Sequence, residues 1–156
     1  MTDSETIYHF YECMQDRNVE GMLSCYHPKI KFTDPVFGEL EGDRVFNMWR
    51  MLMGRIDPNA KIEINNVYAL NNRATCKWTA DYAFGKRKRQ IHNKIKSDFK
   101  FKDNRIVEQF DYFNLWEWTK QALGITGHLF GWSLSMQKMI IKQNKEYLNY
   151  YMEKHG

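Results

Sequence analysis

Cysteine is scarce in this sequence, and its arrangement offers no pairing: Cys13, Cys25 and Cys76 are an odd set without CxxC spacing. That argues against a disulfide framework or a cysteine zinc site, and fits reduced thiols in a cytoplasmic protein. Long apolar runs are missing too. No stretch reaches the roughly 18 apolar residues of a membrane span. The first twenty residues, interrupted by Asp3, Glu5, Glu12 and Asp16, lack the apolar run of a signal peptide. The expected location is the cytoplasm, with no membrane span. His9, His27, His128 and His155 show no spacing such as H-x-x-x-H, so no metal is expected. Repeats, low-complexity stretches and linkers are also absent, and residues 1–156 are expected to form a single domain.

Charge is modest, with a formal net of +4, but it is uneven. Lys86-Arg87-Lys88-Arg89 precedes Lys94, Lys96, Lys100 and Lys102. As phosphate contacts these would suit a nucleic acid. The first four, however, surround a turn, and the later four alternate with other residues as a solvated strand face would. No nucleic-acid partner is expected. A domain of this length buries roughly 70% of its unfolded-chain surface and needs no staples. Aromatic residues are plentiful at 15%, which suits either a ring-rich core or a ring-lined cavity for a flat organic ligand.

Periodicity supplies the elements. Thr2-Asp3-Ser4-Glu5 has capping-box spacing, and Ile7, Phe10, Tyr11 and Met14 follow as one stripe of an amphipathic helix. Val19, Met22, Leu23 and Tyr26 repeat that stripe in a short second helix that His27-Pro28 should end. Ile30 and Phe32 alternate with lysine and threonine as a short strand into Asp34-Pro35. Val45, Met48, Trp49, Leu52 and Met53 form a third helical stripe, ended before Asp57-Pro58. From residue 61 the period becomes two. Ile62 and Ile64 open a strand to Asn71-Asn72, residues that tolerate the positive φ of a tight hairpin. Ala74 to Phe84, Ile91 to Phe101 and Ile106 to Asn114 follow, an antiparallel meander whose long strands must twist and curl. Leu115–Leu123 reads as a short helix ended by Gly124. A longer one should carry Trp132, Met136, Ile140, Tyr147 and Tyr151 near one face.

Three helices, a short strand before Asp-Pro, and four long strands resemble the nuclear transport factor 2-like superfamily, and within it the SnoaL-like proteins and ketosteroid isomerase. The likeness rests on Asp16–Tyr26, on Phe32-Thr33-Asp34-Pro35-Val36-Phe37-Gly38, and on Phe110–Gly124. It implies an α+β fold: a cone-shaped curved antiparallel sheet with three N-terminal helices, its core spanning about residues 5–124. A C-terminal helical extension, about residues 125–154, exceeds the minimal fold. Such cones hold a pocket at the open end. Their members include isomerases, cyclases, dehydratases, epoxide hydrolases and non-catalytic binders, so the fold does not choose the chemistry. Many relatives dimerise through the sheet, which implies a homodimer.

Asp34 matches, by the resemblance, the position of the isomerase's catalytic base. A carboxylate at an apolar rim can abstract a proton next to a carbonyl if burial raises its pKa. Its alternative role is to accept backbone N–H bonds in the turn before Pro35. The isomerase's oxyanion donors are not reproduced. Phe10 stands at the tyrosine position beside Tyr11, and Ser97 stands at the position of the protonated aspartic acid, which makes steroid isomerisation a poor match. Asp111 is the second carboxyl, near where SnoaL-like cyclases keep an acid–base aspartate. It lines the cone if Val107, Gln109 and Phe113 face inward with it. The opposite parity would place Ile106, Glu108, Phe110 and Tyr112 inside. With Asp111 inward, Asn93, Ser97 and Gln109 would join it as convergent polar groups amid Trp49, Trp78, Tyr82 and Phe113, the usual look of a small-molecule site. Each is equally compatible with an ordinary satisfied core residue. His92 shares its face with lysines and should point outward.

Two functions are therefore expected to compete. One is a cofactor-free isomerase, cyclase or lyase, with Asp34 or Asp111 moving a proton on a small hydrophobic molecule that Tyr11, Asn93, Ser97 or Gln109 orients. The other is a non-catalytic ligand-binding or protein-interaction domain of the same fold. The final helix could cover the pocket mouth, pack on a second subunit or bind a partner, or simply dock as core.

Overall fold

A computed structural model describes residues Met1–His155. Helix α1 (Asp3–Gln15) starts at Thr2, whose hydroxyl accepts from the Glu5 amide at 3.2 Å, as the capping-box spacing predicts. Helix α2 is shorter than its stripe suggests (Val19–Leu23), and Tyr26 already belongs to strand β1 (Tyr26–Asp34). Pro28 therefore lies within a strand and does not end a helix. It is tolerated because pairing of β1 with its neighbour is irregular between Tyr26 and Lys31, where a missing N–H costs no ladder bond.

Strand β2 (Gly38–Glu41) is too short to show a period, and it forms a hairpin with β1 around Pro35–Phe37. Helix α3 (Asp43–Arg55) buries Val45, Met48, Trp49 and Met51. The meander β3 (Lys61–Leu70), β4 (Arg73–Phe84), β5 (Arg89–Lys102) and β6 (Arg105–Tyr112) is antiparallel throughout. Asn71 and Asn72, and Asp103 and Asn104, all adopt positive φ, the conformation of two-residue hairpin turns. Three helices follow: α4 (Leu115–Leu123), α5 (Ile125–Phe130) and α6 (Leu134–His155).

The six strands form one curved sheet in the order β2-β1-β6-β5-β4-β3. The chain is an α+β cone, and its sheet is mixed because β1 lies parallel to β6. Helices α1 and α3 close the concave side over a core that includes Ile7, Phe10, Met22, Phe32, Met48 and Ile106. No helix is long and apolar enough to cross a membrane.

Parity on β6 is resolved by a bulge. Phe101 pairs with Ile106, but Lys100 pairs with Glu108, so Val107 is the extra residue. A bulge shifts the alternation by one. Ile106 is therefore buried before it and Gln109 and Asp111 after it, while Phe110 and Tyr112 stack on each other outside. Each of the two alternating patterns is right for one part of the strand.

Part of the expected stripe docks helix α6: Tyr151 packs against the core beside Ile140, but Leu148, outside that stripe, is its most buried residue. Ile140 and Leu148 are buried; Trp132 precedes the helix and is 64% exposed, and Tyr147 is also exposed. The helix lies across the β1–β2 turn and α3: Asn144 Nδ2 donates to the Val36 carbonyl at 2.9 Å, and Arg44 Nη1 donates to Asn149 Oδ1 at 2.8 Å. Gly38 is required there twice over. Its φ is +66°, and a Cβ would meet Ile141 at 3.3 Å. Leu148, at 0% exposure, anchors the extension. Leu148→Ala should cost about 2–5 kcal/mol in urea unfolding and make residues 134–155 a preferred site of limited proteolysis; an unchanged midpoint would show that α6 does not contribute to the core.

Candidate active site

The parallel pairing of β1 with β6 sets the geometry. Phe32 pairs with Gln109 and Thr33 with Phe110, so the next step of the register puts Asp34 alongside Asp111. Phe32 and Gln109 are both buried in the cone, and alternation places Asp34 and Asp111 on that same face. Two carboxyls thus stand on adjacent strands, whose spacing is about 5 Å.

Asp111 is 4% exposed and sits at the end of two converging chains of donors. In one, Trp49 Nε1 donates to Tyr26 Oη at 2.9 Å, Tyr26 donates to Gln109 Oε1 at 2.6 Å, and Gln109 Nε2 donates to Asp111 Oδ1 at 3.1 Å. In the other, Trp78 Nε1 (2.8 Å) and Tyr11 Oη (3.3 Å) donate to Ser97 Oγ, which donates to Asp111 Oδ1 at 2.6 Å. Ser97 accepts two bonds and gives one, which uses its hydroxyl fully. Every donor points toward the carboxylate. Burial pushes the Asp111 carboxyl up to about 6, against the opposing pull of the Ser97 and Gln109 bonds. Burial likewise raises the Tyr11 and Tyr26 phenols well above their ordinary value, so both stay protonated donors.

Asp34 does two things. Its Oδ1 accepts from the Val36 amide at 3.0 Å and the Phe37 amide at 2.6 Å, the turn role open to an Asp before Pro35. Burial nevertheless pushes its carboxyl up to about 7; the Phe37 and Val36 amides oppose that rise, and the charge on Asp111 adds to it. Tyr82 stands within the field of Asp34 and is raised chiefly by burial; its oxygen accepts from Trp118 Nε1 at 2.9 Å.

Unused bonding capacity points the same way. Oδ2 of Asp34, Oδ2 of Asp111 and the whole Asn93 amide make no hydrogen bond among the described residues. Arg17 Nε is the one enclosed side-chain polar atom there without a partner, so none of these three groups is wholly sealed from solvent. The expected site residues thus divide in two. Tyr11, Trp49, Trp78, Ser97 and Gln109 form the buried network behind Asp111, while Asp34, Tyr82, Asn93 and Phe113 take no part in it. Tyr26 and Trp118 were not expected at all. Tyr26 reads as the last turn of a helix in the sequence, and Trp118 falls in the short helix 115–123 with nothing to single it out. No metal-binding group of three or more His, Cys, Asp or Glu occurs among the described residues. His92 lies on the outer face, its Nδ1 2.5 Å from Asp81 Oδ1.

Residues 7–109 match the model of the SnoaL-like domain family. The chain belongs to that family. No curated protein sequence matches it. Among solved structures, this SnoaL-like chain is similar to an M. tuberculosis LEH-like epoxide hydrolase: 17% identity, 83% of this chain and 96% of that one covered, TM-score 0.66. It is similar to a candidate polyketide cyclase from Silicibacter sp. TM1040 (20% identity, 77% and 94% covered, TM-score 0.65). A protein of ketosteroid isomerase-like fold from Catenulispora acidiphila DSM 44928, in complex with trimethylamine, gives 12% identity, 76% and 92% covered, and a TM-score of 0.66. At these identities the likeness is one of fold.

Both aspartates are raised in the folded protein above the ordinary 3.8. The native state therefore holds more protons than the unfolded chain between about pH 4 and pH 7, and stability should fall as pH rises through that window. Asp111→Asn keeps an acceptor for Ser97 and Gln109 and removes the buried charge. In urea unfolding it should flatten the fall and gain up to about 3 kcal/mol at pH 8. A variant less stable than the parent at pH 8 would refute this.

Proposed function

We propose that this SnoaL-like protein is a cofactor-independent proton-transfer enzyme acting on a small hydrophobic molecule: an isomerase, cyclase or lyase. The observation that carries the proposal is that Asp34 and Asp111 stand on adjacent strands, one register step beyond the last β1–β6 pair Thr33–Phe110, each raised toward neutrality and each with one oxygen unbonded. Neighbouring carboxyls in a poorly hydrated site hold one proton between them over a range of pH. The donor chains ending on Asp111 Oδ1 favour the charge there. Asp111 is then the base, through Oδ2, and Asp34 the acid.

In the reaction Asp111 Oδ2 takes a proton from a carbon next to a carbonyl. The carbanion's electrons move onto the carbonyl oxygen as Asp34 gives its proton to that oxygen. Return of a proton to a different atom isomerises the substrate, whereas attack by the enol on a second carbonyl closes a ring. The Asp34 proton supplies the aimed donor for which Phe10 and Ser97, where the isomerase has its oxyanion donors, offer no equivalent. In this reading the Asn93 amide and the Tyr82 hydroxyl orient the carbonyl. Tyr11, Ser97, Gln109, Tyr26, Trp49 and Trp78 act as positioning residues, since their polar groups are already used in the network. Cyclase and epoxide hydrolase names among structural relatives support acid–base chemistry in this cone without choosing the reaction.

A second reading has its own support. The turn bonds at Asp34 Oδ1 would suffice to keep that residue in a domain that only binds a ligand. Exchange of solvent deuterium into the α-positions of a panel of cyclic ketones, followed by proton NMR, separates the two. Exchange should show a bell-shaped pH profile with limbs near 6 and 7. Asp111→Asn should lower the rate by roughly 10²–10⁴-fold at similar affinity. Asp34→Asn, which keeps an N–H donor, should lose less and should lose the alkaline limb. Exchange that persists undiminished in both variants would leave the binding reading.

A further inference from the structure

A groove of about 560 Å³ lies between the open end of the cone and the C-terminal helices. Phe113, Trp116, Trp132, Leu134 and Ile141 make its walls, with Lys138 among them. It begins at Pro35, the neighbour of Asp34, and at Phe113, two residues past Asp111. The groove therefore adjoins the segments that carry both carboxyls. All of the α6 wall, and Trp132 before it, falls beyond residues 7–109, the part shared with the family. Trp132 is held in place by its indole N–H, which donates to the Leu129 carbonyl at 2.8 Å.

Charge along this path is graded. Lys138 is the single charged residue lining the groove. It takes part in none of the ion pairs among the described residues. Lys120, by contrast, stacks over Trp116 at 4.4 Å and is neutralised by Glu117. Beyond its inner end, outside the groove's own lining, lie the segments that carry the two carboxyls, whose negative charge would repel an anionic group. An apolar body carrying an acid can enter only with the acid outward.

We propose that the C-terminal extension builds an outer subsite for an amphiphilic organic acid, with Lys138 receiving its anionic group and Trp116 and Trp132 flanking its flat apolar body. The proposal rests on the small-molecule reading of the cone, because a protein-docking cone would not need an inward path. It also names what the extension adds to the family's module: selection of acids over neutral molecules of the same shape.

Two fluorescent probes of closely related ring structure test it on the full chain: anionic 1-anilinonaphthalene-8-sulfonate and neutral N-phenyl-1-naphthylamine. Each should bind saturably at one site, with energy transfer from the indoles. Lys138→Glu should weaken the sulfonate about tenfold and leave the neutral probe within twofold, and Trp132→Ala should weaken both. If the neutral probe binds but Lys138→Glu leaves sulfonate affinity within twofold, the subsite is refuted while the pocket stands. If neither probe binds the parent protein saturably, the small-molecule reading and the subsite fall together.

Discussion

Two carboxyls cannot both be charged, side by side, where water scarcely reaches. One ion must be stabilised by fixed donors or the pair must keep a proton. In this cone fixed donors end on Asp111, and burial raises both carboxyls. Asp34 and Asp111 are neighbours because β1 runs parallel to β6, and much of the interior is arranged around that consequence. Trp49, Tyr26 and Gln109 reach Asp111 from one side, and Trp78, Tyr11 and Ser97 from the other. The rings that close the cone are the same groups that supply these donors. Packing and electrostatics therefore share one set of side chains, and a substitution at Tyr26 or Trp78 would disturb both.

Local periodicity was enough to read the helices α1 and α3, the meander and its asparagine-rich hairpins from the chain, because each is specified by contacts within a few residues. Asp34 and Asp111 were singled out by the family resemblance, since by local pattern Asp34 also reads as a turn residue before proline and the parity of Asp111 is open. Their adjacency was not visible. Strands β1 and β6 are separated by seventy residues, and parallel pairing between them leaves no local mark. The parity of Asp111 was open because the bulge at Val107 lets Ile106 and Asp111 both face inward, against strict alternation. Tyr26 was hidden by a helical stripe that the strand overrides. Helix α6 misled differently: its aromatic residues form the more conspicuous stripe, yet Leu148 carries the burial.

The family model ends before Asp111, at residue 109. The match therefore covers most of the cone and its network up to Gln109, and stops two residues before Asp111. Helix α6 is pinned at the turn that follows Asp34, through Asn144 and the Val36 carbonyl, with Gly38 allowing the approach. Anything that shifts α6 therefore pulls on the Asp34 turn, and the outer groove and the carboxyl pair are mechanically joined.

A purely structural account of the interior has to explain its direction. Satisfying a buried polar residue needs donors and acceptors in balance, and an apolar residue at position 111 would satisfy the core with less desolvation. What stands there instead is an acceptor-only group at the end of donor chains that run one way, with one oxygen occupied twice and the other left unpaired. That arrangement lowers the stability of the fold at neutral pH, since burial raises the carboxyl above its ordinary value. A local conflict with stability, surrounded by side chains that hold it in place, is the pattern expected where function sets the residue. The unpaired oxygen is the part of Asp111 that packing leaves unexplained, and it is the part a substrate would use.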